Sequence, residues 1–130
     1  MESTTQVRIA LADDVAATRL AIARLLERLG HQVICAASNG AELLHQCAGK
    51  QIDVVVTDLD MPVLDGLAAA QELADRGIPV ILISGHSDKN KIVLEHEPVV
   101  VCVTKPASIQ NLQDAIKQAL DAQKILRRPK

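Results

Sequence analysis

The stretch Val54-Val55-Val56-Thr57-Asp58-Leu59-Asp60-Met61-Pro62-Val63-Leu64-Asp65-Gly66 constrains this chain more than any other. Its first residues are apolar and β-branched, which favours a pleated strand over a helix because branching at Cβ crowds the preceding helical turn. No polar residue alternates through the run, so the strand has no solvent-facing side and belongs inside a sheet covered on both faces. The run then stops at Asp58, and three carboxylates fall within eight residues. Such a strand delivers Asp58 to the carboxyl edge of a sheet, where open α/β folds bind their ligands.

The same pattern recurs along the chain. Residues 7–12 form an apolar run ending at Asp13-Asp14, residues 32–37 a weaker one, and residues 52–57 the run that ends at Asp58. Residues 80–83 end at Ser84-Gly85, and residues 99–103 at Thr104-Lys105-Pro106. Between these runs the period changes. Over 15–29, Ile22, Leu25, Leu26 and Leu29 share one helical face, with Gly30 as the stop. Ser38 or Asn39 caps a second helix that uses Leu43, Leu44 and Cys47. Asp65 caps a third through Leu67, Ala70, Leu73 and Ala74, closing at Gly77. The fourth helix, 87–96, has few apolar anchors and is expected to open most easily. The last is the most amphipathic: Ile109, Leu112, Ala115, Ile116, Ala119 and Leu120 make one stripe, with Ser108 as its cap.

Five strands alternating with five helices predict an α/β fold, a (βα)5 three-layer α/β/α sandwich around a five-stranded parallel sheet. Right-handed crossovers leave few topologies, and the flavodoxin-like order 2-1-3-4-5 is the expected one. The reading divides the chain into a flexible N-terminus at 1–6, one domain over 7–124, and a tail or linker remnant at 125–130.

Composition narrows the function. The 130 residues include no Phe, Tyr or Trp, so the chain lacks the stacking platform on which single-stranded nucleic acid is bound. A formal charge of −2 argues against direct binding to a phosphate backbone. No stretch approaches the roughly 18 apolar residues of a membrane span, and no secretory signal is visible, so no membrane association and a cytoplasmic location are expected. Cys35, Cys47 and Cys102 sit in apolar runs without zinc spacing and read as small buried hydrophobes. His31, His45, His86 and His96 are scattered and read mostly as surface residues.

In the expected strand order, Asp13-Asp14, Asp58, Ser84 and Lys105 crowd one edge of the sheet. Each alone has a plain structural reading: a helix cap, a loop carboxylate, a turn residue, a solvated charge. All at the correct strand ends together, they make a site. Like charges about 4 Å apart repel by roughly 4 kcal/mol at an effective dielectric near 20, so the carboxylates require a cation. Oxygen ligands without Cys or His favour Mg2+, which keeps open positions for phosphate oxygens. With a lysine, a hydroxyl and a nucleophilic carboxylate beside it, this is a set of groups for phosphoryl transfer.

Asp13-Asp14, Asp58-Leu59-Asp60-Met61-Pro62 with Asp65-Gly66, Ser84-Gly85 and Lys105-Pro106 resemble the receiver domain of two-component response regulators, from about Val7 to Leu120. The resemblance implies that Asp58 is the phosphoacceptor, taking a phosphoryl group from a histidine kinase or a histidine phosphotransfer protein. It implies that Asp14 and Asp58 hold Mg2+ directly, Asp13 through water, and Asp60 through its main-chain carbonyl. Lys105 pairs with a phosphoryl oxygen, and Ser84 turns to hydrogen-bond the attached group as the switch. The protein then catalyses only its own phosphorylation and dephosphorylation, and signals to a downstream protein through the face of the fourth helix, fifth strand and fifth helix.

Two positions depart from the family pattern. Cys102 stands three before the lysine, where an aromatic is usual, and Ala107 follows Lys105-Pro106, where Phe is common. Both touch the expected output face, which leaves a loop-ordering switch as the alternative to an aromatic one. Asp60 and His86 are expected to tune the phosphoryl lifetime. Two other functions compete with this reading. A haloacid-dehalogenase-type phosphatase shares an Asp-x-Asp after a strand, but it needs an acidic cluster after the lysine. Here only Asp114 and Asp121 follow Lys105. A receiver-like interaction module that is never phosphorylated has no need of the complete acidic set. A flavin protein of this fold requires a phosphate loop where the anionic pair Asp13-Asp14 stands.

Overall fold

The computed structural model describes residues 6–58, 72–73, 75–84, 99–104 and 108–126, and for 84, 99–102 and 122–126 the backbone alone. In chain order come β1 (Arg8–Ala12), α1 (Ala16–Arg28), β2 (Gln32–Ala37), α2 (Gly40–Cys47), β3 (Val54–Asp58), β4 (Val80–Ser84), β5 (Val99–Thr104) and α3 (Ile109–Leu126). All strand pairs are parallel, and the sheet order is β2-β1-β3-β4-β5. This is the order expected from the alternation of runs. The fourth expected helix and most of the third lie outside the described residues; α3 is the fifth expected helix.

Strand side chains alternate between two cores, as a pleat of period two requires. Ala10, Ala12, Val55 and Leu82 face a cluster with Leu43 and Cys47 of α2, Leu73 and Ile78. Ile9, Leu11, Val54, Val56, Ile81 and Ile83 face the other, with Ile22 and Leu26 of α1 and Leu112, Ile116 and Ala119 of α3. Helices on both sides thus explain the unbroken apolar strands. Val54, Val55 and Val56 are 0% exposed, and each buried valine contributes about 1.5 to 3 kcal/mol. Among the described residues, no helix is long and apolar enough to cross a membrane.

Local chemistry sets the ends of the helices. At α2, Asn39 Oδ1 accepts from the Glu42 amide at 2.8 Å, and Glu42 Oε1 accepts from the Ser38 amide at 2.8 Å. Of the two candidate caps, Asn39 takes the position, and the reciprocal bond resembles a capping box. Ser108 Oγ accepts from the Asn111 amide at 3.0 Å and caps α3 as expected. α1 ends in a Schellman turn: the His31 amide donates to Leu26 O at 3.1 Å and the Gly30 amide to Glu27 O at 3.0 Å, with Gly30 at φ 91. Gly77, at φ 76, plays the same part after Leu73, whose carbonyl accepts from the Ile78 amide.

One expectation for a single residue changes. His31 is half-buried rather than a surface residue, and its Nδ1 accepts from the Val7 amide at 3.2 Å. That bond serves the backbone at the start of β1, a use that sequence spacing does not reveal. Cys35 and Cys47 are buried, as expected of small hydrophobes. Burial, then the neighbouring Cys35 thiol, pushes the Cys47 thiol up to about 11, so it stays protonated at neutral pH.

Candidate functional site

The site is built by register. Ala12 of β1 pairs with Thr57 of β3, so the chain leaves β1 into Asp13-Asp14 just as β3 reaches Asp58. Asp58 in turn pairs with Ile83 of β4, and Ser84, one step further, pairs with Thr104 of β5. Four strand ends therefore meet at one edge of the sheet, because parallel strands all present their carboxyl ends there.

The carboxylates of Asp13, Asp14 and Asp58 converge, with ligand oxygens all within 4.8 Å of one another. Asp13 and Asp58 are 1% and 4% exposed, whereas Asp14 faces solvent. The turn that presents them is tied down on several sides. The Asp13 amide donates to Ala37 O of β2 at 3.0 Å, and Asp13 Oδ1 accepts from the Val15 amide at 2.9 Å. This second bond is an Asx-type turn, and it serves the start of α1, where Val15 has no side-chain cap of its own. Arg19 Nη1 donates to the main-chain carbonyl of Asp13 at 2.8 Å.

Three carboxylates so close repel one another, and a cation among them offsets that repulsion. An octahedral Mg2+ with bonds of about 2.0 to 2.1 Å spaces its ligands about 3 to 4 Å apart, within what this cluster spans. All the donors are oxygens, and the exposed Asp14 opens the cluster to water, so the residues fit a hard divalent cation.

Of the residues expected at the site, Asp13, Asp14 and Asp58 are brought together. Ser84 ends β4 beside Thr104 in register. Cys102 pairs with Leu82 across β4 and β5, and the backbone alone is described there. Asp60, His86 and Lys105 lie outside the described residues. Sequence reasoning missed Arg19. The available signal was a cation in the first turn of a helix that has no acidic residue there, against the preference of the helix dipole.

Residues 9–117 match the family described as the response regulator receiver domain. The chain belongs to that family. The tetrathionate response regulatory protein TtrR of Salmonella typhimurium is 38% identical over 115 residues, which cover 86% of this chain and 55% of that protein. The chain thus spans about half the length of this relative. A response regulator receiver domain protein from Clostridium thermocellum has the same fold, with TM-score 0.79 and 33% identity, covering 92% of this chain and 98% of that one. The response regulator TrrA from Thermotoga maritima, solved in complex with Mg2+ and a beryllium fluoride, is 26% identical with TM-score 0.78, covering 88% of this chain and 100% of its own. The flavodoxin-like fold read from the alternation of runs is therefore the fold of the family.

Proposed function

We propose that Asp58 is the phosphoacceptor of this receiver domain and that Asp13, Asp14 and Asp58 form its Mg2+ site. The observation that carries the reading is the convergence of these three carboxylates at the ends of β1 and β3. Asp14 and Asp58 would hold the ion directly and Asp13 through water, with the main-chain carbonyl of Asp60 added by analogy with the family. When bound, the ion supplies positive charge against the phosphoryl oxygens and the carboxylates. Lys105 and Ser84 are assigned by the same analogy to the phosphoryl oxygens, and Asp60, His86 and Cys102 to the lifetime and readout of the modified state.

An oxygen of Asp58 forms the new P–O bond while the P–N bond of a donor phosphohistidine breaks, and the imidazole leaves with the electron pair. The donor is a histidine kinase or histidine phosphotransfer protein. It must approach within bonding distance of Asp58 and so cover the start of α1. Val15 and Leu20, 49% and 52% exposed, are the large hydrophobics left open among the described residues, at the N-cap and in the second turn of α1. We assign them to the donor contact and the β5–α3 side of the domain to a downstream protein. The receiver unit of 7–124 encloses the family match at 9–117.

Intact mass after incubation with Mg2+ and acetyl phosphate tests the reading. One added phosphoryl group, absent in Asp58→Asn, is the expected result. Continuous release of phosphate would instead mark a phosphatase, and an unchanged mass would mark an interaction module that is not phosphorylated.

A further inference from the structure

Arg19 breaks a local rule. It lies in the first turn of α1, which begins at Ala16, and a cation there meets the positive end of the helix dipole. That turn holds no acidic residue to offset it. Its side chain is half-buried, and it turns back along the chain so that Nη1 meets the carbonyl of Asp13 at 2.8 Å. That carbonyl belongs to the peptide joining Asp13 to Asp14. Two further groups of Asp13 are held as well, its amide by Ala37 O and its Oδ1 by the Val15 amide. The Arg19 bond adds a restraint on the Asp13–Asp14 peptide plane itself. Rotation of that plane swings Asp14, the exposed member of the carboxylate cluster, away from Asp58.

We propose that Arg19 is a positioning residue: by fixing the Asp13–Asp14 peptide, it sets the Asp14 carboxylate in register with Asp58 for binding a divalent cation. The proposal rests on the functional reading above. It also makes a prediction opposite in sign to simple electrostatics. A positive side chain beside a cation site disfavours cation binding, so loss of its charge alone would tighten binding. Loss of its hydrogen bond to the turn would weaken binding, as removal of an outer-shell partner of a metal ligand generally does, by about 10- to 100-fold.

The test is titration calorimetry with Mg2+ on the full chain, comparing wild type, Arg19→Met and Arg19→Lys. Amide exchange at Asp14 and Val15 is measured in the Mg2+-free proteins. Arg19→Met keeps the aliphatic stem and removes the donors; Arg19→Lys keeps the charge and one donor direction. The expected result is binding weakened about tenfold in Arg19→Met, largely recovered in Arg19→Lys, with faster exchange at Asp14 in the Met variant. Unchanged or tighter Mg2+ binding in Arg19→Met overturns the proposal and leaves Arg19 a structural or purely electrostatic residue. Absence of Mg2+ binding in the wild type overturns the functional reading and this proposal with it, and the wild-type titration tells the two failures apart.

Discussion

Asp14 and Asp58, one following β1 and the other ending β3, hold carboxylate oxygens within 4.8 Å of each other, although one side chain faces water and the other is buried. Two unit charges at such a spacing repel by about 1 kcal/mol in water and about 3.5 at a dielectric of 20. The exposure of Asp14 keeps the effect near the lower figure. Asp14→Asn is therefore expected to raise the unfolding midpoint of the Mg2+-free protein by about 4 °C, equivalent to about 1 kcal/mol for a domain of this size. The same variant should lose the stabilisation that Mg2+ gives the wild type, about 2.7 kcal/mol at a hundredfold excess over Kd. Calorimetry in EDTA and in Mg2+ measures both effects. An Asn variant less stable than wild type in EDTA contradicts the repulsion.

His31 makes stability depend on pH. Burial holds its imidazole below the ordinary 6.5, and its Nδ1 accepts from the Val7 amide, which a proton on that nitrogen prevents. Between the folded and unfolded values, the unfolded chain binds the proton and the folded chain does not, so stability rises with pH there. The contribution is fully present above about 6.5 and is lost as pH falls through the lowered folded value. The expected loss is about 1 kcal/mol, the worth of the hydrogen bond. Urea unfolding of wild type and His31→Gln across this range isolates it, because the carboxylates common to both proteins cancel. Equal pH slopes would remove His31 from the account.

Gly30 stands at φ 91 in the turn that closes α1, and a Cβ added there meets nothing within 4 Å. Space is no obstacle, so the cost of Gly30→Ala is purely conformational, about 1 to 2 kcal/mol for an L residue in the left-handed region. Gly30→Asn should cost less, because Asn tolerates that region. Denaturant midpoints of the two variants give the order directly, and an Ala variant as stable as wild type would contradict it.

The exposed side chains of Val15 and Leu20 separate two routes to the same modification. Val15→Ala with Leu20→Ala removes most of this exposed apolar surface and should change stability by less than about 0.5 kcal/mol each. Phosphorylation by acetyl phosphate should proceed at the wild-type rate. Transfer from a phosphohistidine protein should slow about tenfold, the effect of losing 1.4 kcal/mol of contact. Equal slowing by both donors would place the defect in the site itself rather than in docking.

Much of the site was legible because its chemistry is local in sequence. The valine run that ends at Asp58 and the Asp13-Asp14 pair after β1 mark strand ends by themselves, since a polar residue closing a wholly apolar strand has only the sheet edge to occupy. The chirality of crossovers left few strand orders, of which 2-1-3-4-5 was the expected one. Arg19 showed only as a cation in the first turn of a helix; its partner is a main-chain carbonyl, which leaves no trace in residue identity. His31 escaped for the same reason, its partner being the Val7 amide.

By itself, then, the sequence determined the class of fold, the parallel sheet and the set of acidic residues, because these depend on hydrophobic period and on where it stops. Only the tertiary structure decided that Ala12 stands opposite Thr57, that Asp13 and Asp58 are buried while Asp14 meets water, and that Arg19 holds the peptide between the first two carboxylates. Register, burial and main-chain contacts are relations between segments distant along the chain, and packing settles them where local pattern cannot.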